Sequence, residues 1–334
     1  MTMPAALDYR LEPAPTRLLN SAPVPAPAAP RTPYHLTPEQ INFFDENGYL
    51  ILRQWIPPAL LARVQAAADA WMEHGQRVTP DDPLYPDFGF KQGPNGRTFY
   101  AVGYLHNMGQ SPSLELLGSP QVLAVAESLS GPNFVPTYES MVFKMKGNGA
   151  PIHWHQDACH PRQYRIWNYD LYLDHSRQGA GALKVVPKSQ HAPVDVCRYA
   201  DNHQWNPPGV IEVEMEPGDV LLHDVMVVHG SEPVVGKALR RTIYYEFRPA
   251  EEIVADGPWD RAWIERRQRL IGIGLRRHQA AFPDAPQYEW RISDEFRPAP
   301  MPDEQEELRV VHDGRHSPGA YCSAGDAGRV TKGR

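Results

Sequence analysis

Cysteine is nearly absent: the 334 residues contain three, Cys159, Cys197 and Cys322, with no Cys-x-x-Cys spacing. An odd, scattered set argues against a disulfide framework and against a thiolate zinc site, so reduced thiols are expected. Excess positive charge is also lacking. Lys+Arg is 33 against 40 for Asp+Glu, a net charge of −7, and nothing draws the chain as a whole to nucleic acid or anionic lipid. No apolar run approaches the roughly 18 residues of a membrane span. The N-terminus does not show the basic-then-apolar pattern of a secretory signal. These absences predict a cytoplasmic protein whose partner is a small molecule, with no nucleic acid and no membrane. Oligomeric state leaves no mark in the sequence.

Apolar residues are present in quantity, at 42%, enough for a sizeable core. Proline is abundant, with 35 residues. Residues 1–33 are dominated by Pro and Ala, as in Ser21-Ala22-Pro23-Val24-Pro25-Ala26-Pro27, and predict a disordered, extended arm. Thr37-Pro38-Glu39-Gln40 offers an N-cap, a proline at the first helical position and a capping box. That helix ends at Gly48, and a short strand follows over 49–52. Residues 58–76 carry apolar positions at helical spacing, and 121–129 reads as another helix. Between them, 79–110 is crowded with Pro, Gly and aromatics and predicts a long irregular connection, a candidate lid.

From about residue 133 the period becomes extended. Strands are expected at 134–146, 151–157, 169–174, 182–187, 210–215, 219–223, 225–229 and 241–248, separated by turn signals such as Gly179-Ala180-Gly181 and Pro217-Gly218-Asp219. A further helix is expected over 259–281. The pattern is mainly β with flanking helices, an α+β class whose strand count suits a sandwich, barrel or jelly roll. One domain is expected over 34–293, with its β core at about 133–250 and a polar tail over 294–334.

The chemistry concentrates in Pro151-Ile152-His153-Trp154-His155-Gln156-Asp157. His155 and Asp157 are two apart, so an extended backbone projects both to one face. An imidazole and a carboxylate side by side make two positions on a divalent metal. The third candidate is His229, at the end of the apolar run Val225-Met226-Val227-Val228. Two imidazoles and one carboxylate on one face, with open positions beside them, suit mononuclear non-haem Fe(II). Eleven residues beyond His229 stands Arg240, which shares a strand face with Thr242. A guanidinium and a hydroxyl suit the distal carboxylate of 2-oxoglutarate. Arg241, on the opposite face, reads as a surface charge. His160, His175, His191 and His223 read as bystanders to the metal, while His153, on the same strand face, is an alternative to His155 that lacks the two-apart pairing with Asp157. Trp154, His160, Trp167, Asn168 and Tyr172 are candidates to line the substrate pocket. Arg162, Arg165 and Lys184 read as solvated charges.

Four blocks resemble the phytanoyl-CoA dioxygenase family of Fe(II)/2-oxoglutarate oxygenases: Leu36–Leu52, Lys144–Gly147 running into Trp154–Asp157, Gly181–His191, and Gly218–Asp219 through His229-Gly230-Ser231 to Arg240. The resemblance spans roughly residues 36 to 250. It implies a double-stranded β-helix, a jelly-roll or cupin-like core. It implies iron on His155, Asp157 and His229, and 2-oxoglutarate on Arg240 with Ser231, Thr242 and Lys144. It further implies O2 as co-reactant and succinate and CO2 as products. Related halogenases replace the carboxylate by a small residue, so Asp157 points to hydroxylation of an unactivated C–H in a small organic molecule, such as a secondary metabolite. Desaturation or ring formation stays open, as does a cupin-type metal enzyme (an isomerase or a dioxygenase) without 2-oxoglutarate. One departure is Lys188 in Pro187-Lys188-Ser189-Gln190-His191, where the family has a glycine.

Overall fold

The computed structural model describes residues 9, 32–93, 96–145, 151–158, 164–234, 239–299 and 306–312. The elements in order are α1 (Pro38–Asn47), β1 (Tyr49–Leu52), α2 (Pro58–Arg77), β2 (Phe88–Gly93), β3 (Gly96–Gly103), α3 (Pro112–Leu117), α4 (Pro120–Ser130), β4 (Phe134–Lys144), β5 (Ile152–His155) and β6 (Trp167–Tyr172). There follow β7 (Leu183–Val186), α5 (Val196–His203), β8 (Ile211–Val213), β9 (Val220–Asp224), β10 (Val228–Ser231), β11 (Arg240–Pro249), α6 (Ala250–Asp256) and α7 (Arg261–Ala281). The expected capping box is present on α1, where Thr37 accepts from the Gln40 N–H and the Gln40 side chain returns to the Thr37 N–H.

Two antiparallel sheets face each other. The larger runs β1-β9-β6-β11-β4-β3-β2 and the smaller β5-β10-β7-β8. Strand neighbours are mostly non-consecutive in sequence, as in a jelly roll. Along β6, Trp167, Tyr169 and Leu171 belong to the core beneath the helices, together with Val220, Leu222, Ile243, Tyr245 and Phe247. Alternation therefore turns Asn168, Asp170 and Tyr172 inward, between the sheets. Tyr172 meets Leu183, Val185, Val213 and Leu221 there. The interior is a wedge of apolar side chains with polar groups at its two ends.

Several expectations need correction. Residues 79–110 are not an irregular connection: β2 and β3 pair as a hairpin that extends the large sheet beyond β4. The alternation was hidden by a bulge at Gly89/Phe90 and by Phe99, which turns back onto Phe143 with ring centroids 4.7 Å apart. The short helices α3, α5 and α6 were not foreseen. Cys197, in α5, is disulfide-bonded rather than a free thiol. Arg241 is buried rather than a surface charge, because Asp174 and Asp69, remote in sequence, both pair with it. Likewise Arg165 is held by Asp45 at 2.6 Å and Lys184 by Glu232 at 2.5 Å. Arg162 lies outside the described residues.

Residues 306–312 sit in the segment expected to be a polar tail, yet they pack against the domain. Val310 is buried, its carbonyl accepts from Arg267, and that of Val311 accepts from the Trp263 indole at 2.7 Å. Arg309 clasps Asp87. Among the described residues no helix is long and apolar enough to cross a membrane.

Candidate metal centre

β5 and β10 pair so that His155 stands opposite His229, and their rings lie 4.1 Å apart between centroids. The close approach depends on Gly230. A Cβ there would meet the Ile152 carbonyl oxygen at 3.0 Å and the Trp154 nitrogen at 3.2 Å. Past the end of β5, the Asp157 N–H donates to the Val225 carbonyl at 2.7 Å. This ties the carboxylate to the turn leading into β10.

Each ring is oriented by its own backbone. His155 Nδ1 lies 2.7 Å from the His153 carbonyl and His229 Nδ1 lies 2.9 Å from that of Val227. An Nδ1–H donated to a carbonyl leaves the Nε2 lone pair free for a metal. Those Nε2 atoms converge on one oxygen: Asp157 Oδ1 is 3.3 Å from His155 Nε2 and 3.7 Å from His229 Nε2. Ligand atoms of the three residues all lie within 4.8 Å of one another, close enough to share one ion.

The second carboxylate oxygen faces away. Asp157 Oδ2 accepts from Asn168 Nδ2 at 2.8 Å and lies 3.1 Å from His223 Nε2. His223 Nδ1 in turn lies 2.9 Å from Asp170 Oδ2. Burial disfavours the charged form of His223, but Asp170 and Asp157 outweigh it and push its pKa up to about 10. For His229, burial first and then repulsion from His155 outweigh the opposing pull of Asp157 and lower that pKa to about 3, leaving the neutral ring a metal needs. For Asp157 burial works against ionisation, and the surrounding imidazoles, His229 first, still hold it well below the usual carboxylate range.

At the other end of the interior, Arg240 on β11 stands opposite Lys144 on β4, both buried. Lys144 Nζ donates to Ser231 Oγ at 2.6 Å and to the Glu232 carbonyl at 2.9 Å. Burial, then the nearby Arg240 charge, lower the Lys144 pKa to about 6. Arg240 donates one hydrogen bond to the Gly181 carbonyl. Its Nε, and Thr242 Oγ1 two residues on, are buried with no hydrogen-bond partner among the described residues. A buried guanidinium, a buried amine and two unanswered polar atoms are groups that suit a carboxylate.

A family model for phytanoyl-CoA dioxygenase matches residues 44–242, more than half of the chain and all three candidate ligands. The chain belongs to the phytanoyl-CoA dioxygenase family. No curated protein sequence matches it. Among solved structures, EvdMO1 is 27% identical with a TM-score of 0.56, the match covering 64% of this chain and only 50% of that one. AviO1 from Streptomyces viridochromogenes Tue57 is 25% identical with a TM-score of 0.54, covering 66% of this chain and 96% of that one. EctD from S. alaskensis, solved with 2-oxoglutarate and 5-hydroxyectoine, is 18% identical with a TM-score of 0.55, covering 73% and 83%. These likenesses agree with the jelly-roll architecture described above.

Not every residue singled out in this phytanoyl-CoA dioxygenase-family sequence reaches the centre. His155, Asp157 and His229 come together, as do Arg240, Thr242, Ser231 and Lys144 at the far end. Asn168 touches Asp157, and Tyr172 stands beside Thr242 in the register. Trp154 lies on the outer face of β5, packed on Tyr199, with its indole N–H on the Gln204 carbonyl. Trp167 lies on the outer face of β6, stacked on Phe247 and bonded to Ser130. Neither tryptophan shares the metal's side of its sheet. His160 lies outside the described residues. His223 lies outside the ligand trio but against Asp157, a contact the sequence reading did not foresee, and Asp170 was missed. The available signal was period two on β6, which puts Asp170 on one face with the candidates Asn168 and Tyr172.

Proposed function

We propose that the protein is an Fe(II)/2-oxoglutarate-dependent dioxygenase that hydroxylates an unactivated C–H of a small organic molecule, releasing succinate and CO2. One observation carries the reading. Two imidazole Nε2 atoms and one carboxylate oxygen cluster within 4.8 Å, in the same interior as a buried arginine whose Nε has no partner. A hard divalent cation suits the oxygen and nitrogen donors, and a dicarboxylate suits the guanidinium. Family membership gives the cosubstrate; 2-oxoglutarate has one carboxylate for each end.

Ferrous iron on His155, Asp157 and His229 would supply dioxygen activation coupled to oxidative decarboxylation of the keto acid. The chain's own residues do the rest. His153 and Val227 carbonyls keep the two imidazoles in the tautomer that presents Nε2. Arg240, with Thr242, receives the distal carboxylate, and Lys144 adds charge while Ser231 fixes its ammonium. An arriving anion raises the Lys144 pKa, so the lysine takes up a proton as the cosubstrate seats. Leu183, Val185 and Leu221, packed around Tyr172, keep that end dry. Asp157 occupies the place a halide would need, which favours hydroxylation over halogenation.

The test is anaerobic loading of purified protein with Fe(II), then exposure to O2 and 2-oxoglutarate with a panel of small metabolites. Succinate release stimulated by a panel member, with an added oxygen atom in that member, is the expected result. Full succinate release by Asp157→Ala would refute the ligand set. Metal binding with no response to 2-oxoglutarate would favour a cupin-type enzyme that makes no use of Arg240.

A further inference from the structure

The interior holds an arrangement that the ligand set alone does not explain. Asp170 is fully buried in the middle of β6, and no lysine or arginine hydrogen bond reaches it among the described residues. Its recorded hydrogen-bond partner is His223, also buried, on the neighbouring strand β9. Burying a carboxylate costs several kcal/mol even after relaxation, and a barrel interior of Tyr172, Leu183 and Leu221 gives no packing reason for one. What the pair does produce is a fixed ring nitrogen against one oxygen of Asp157. His223 Nε2 lies 3.1 Å from Asp157 Oδ2, and Asn168 Nδ2 lies 2.8 Å from that same oxygen. The other oxygen, Oδ1, is the one nearest to both His155 and His229.

We propose that His223, braced by Asp170, is a positioning residue that holds Asp157 to metal ligation through one oxygen only. The inference rests on the metal centre proposed above and deepens it. Asp157 stands beyond the end of β5, on a turn, where its side chain is 29% exposed, so packing alone does not stop it turning about its terminal bond. A carboxylate free to turn presents both oxygens to an ion and uses up a further coordination position. The Asn168 amide donating to Oδ2, and the His223 ring standing against that same oxygen and 3.0 Å from Asn168 Nδ2, remove that option and preserve the open positions. Partners of this kind, which hold a ligand rather than the ion, are worth roughly 10–100-fold in metal affinity.

The experiment uses full-length metal-free protein titrated with Co(II), read by visible absorption, alongside thermal unfolding of the metal-free forms. His223→Phe strands Asp170 as an unpaired buried acid, so it lowers both the melting temperature and the Co(II) affinity. The double variant His223→Phe/Asp170→Leu removes the pair together. It is expected to regain thermal stability while Co(II) affinity stays roughly 10–100-fold down and the band intensity differs from wild type, reporting changed coordination. His223→Gln keeps one donor toward Asp157 and should hold Co(II) more tightly than the double variant. Wild-type affinity and spectrum in the double variant would overturn the proposal while leaving the ligand set standing. No Co(II) binding by the wild-type protein, matching a His229→Ala control, would overturn both.

Discussion

The two ends of the barrel interior are built on opposite plans. At the metal end every ligand is held in advance: His155 and His229 by backbone carbonyls, Asp157 by Asn168 and His223. At the Arg240 end the charges are buried, but the bonding is incomplete, with Arg240 Nε and Thr242 Oγ1 unanswered. The chemistry of the two guests proposed above would account for the difference. A metal ion has no shape, so its donors must be oriented beforehand. A carboxylate brings its own acceptors and can complete a receptor that is left one partner short.

The contrast is broken most severely at the metal end. Asp157→Ala or His229→Ala should remove Fe(II) binding and bring succinate release to background, measured by metal content and by the succinate assay. Arg240→Ala should separate the two ends. Metal binding should stay, while the 2-oxoglutarate concentration for half-saturation rises by about 10- to 150-fold, the equivalent of a charge-assisted hydrogen bond worth about 1.5–3 kcal/mol. If Arg241→Ala had that effect instead, the strand face assigned to Arg240 would be wrong.

A subtler probe is pH. The folded state holds Lys144 at about 6 against the ordinary lysine value of 10.5. Between those values the unfolded chain binds a proton that the folded protein lacks. This residue's contribution to stability therefore rises with pH across that window, by up to about 1.4 kcal/mol per pH unit. Denaturant titrations at several pH values should show that slope, and Lys144→Met should flatten it. The smallest effect lies outside both ends. Lys188 occupies the left-handed region at φ +67°, where the family has glycine, so Lys188→Gly should stabilise the fold by about 1 kcal/mol, less the small loss of an exposed contact with Glu46. Thermal unfolding reads this directly.

The clustered trio was legible because its geometry is local. His155 and Asp157 need only period two, and His229 only an apolar strand that ends on it. The eight strands expected after residue 133 correspond to β4 through β11 because glycine and proline turns bracket them. What could not be read depends on which strand lies next to which. His223 meets Asn168 because β9 pairs with β6, and Asp157 because the turn after β5 is tied to Val225, neighbour relations that the intervening sequence does not reveal. Arg241 is buried only because Asp69 and Asp174 arrive from α2 and the turn after β6. Trp154 and Trp167 were misassigned because composition names an aromatic without saying which side of its sheet it occupies.

Residues 306–312 bring His312 to the metal end of the large sheet. Its ring packs 5.4 Å from Tyr138 and 4.6 Å from Trp259, and its backbone N–H donates to the Tyr104 hydroxyl. Tyr138 and Glu246 share a rung of that sheet with Asn168, the residue that donates to Asp157. Trp259, Arg267 and His312 all fall beyond the stretch shared with the family, which stops at residue 242. The candidate ligands and the segment packed over that rung are thus encoded in separate stretches of the sequence, and substitutions in one can accumulate without touching the other.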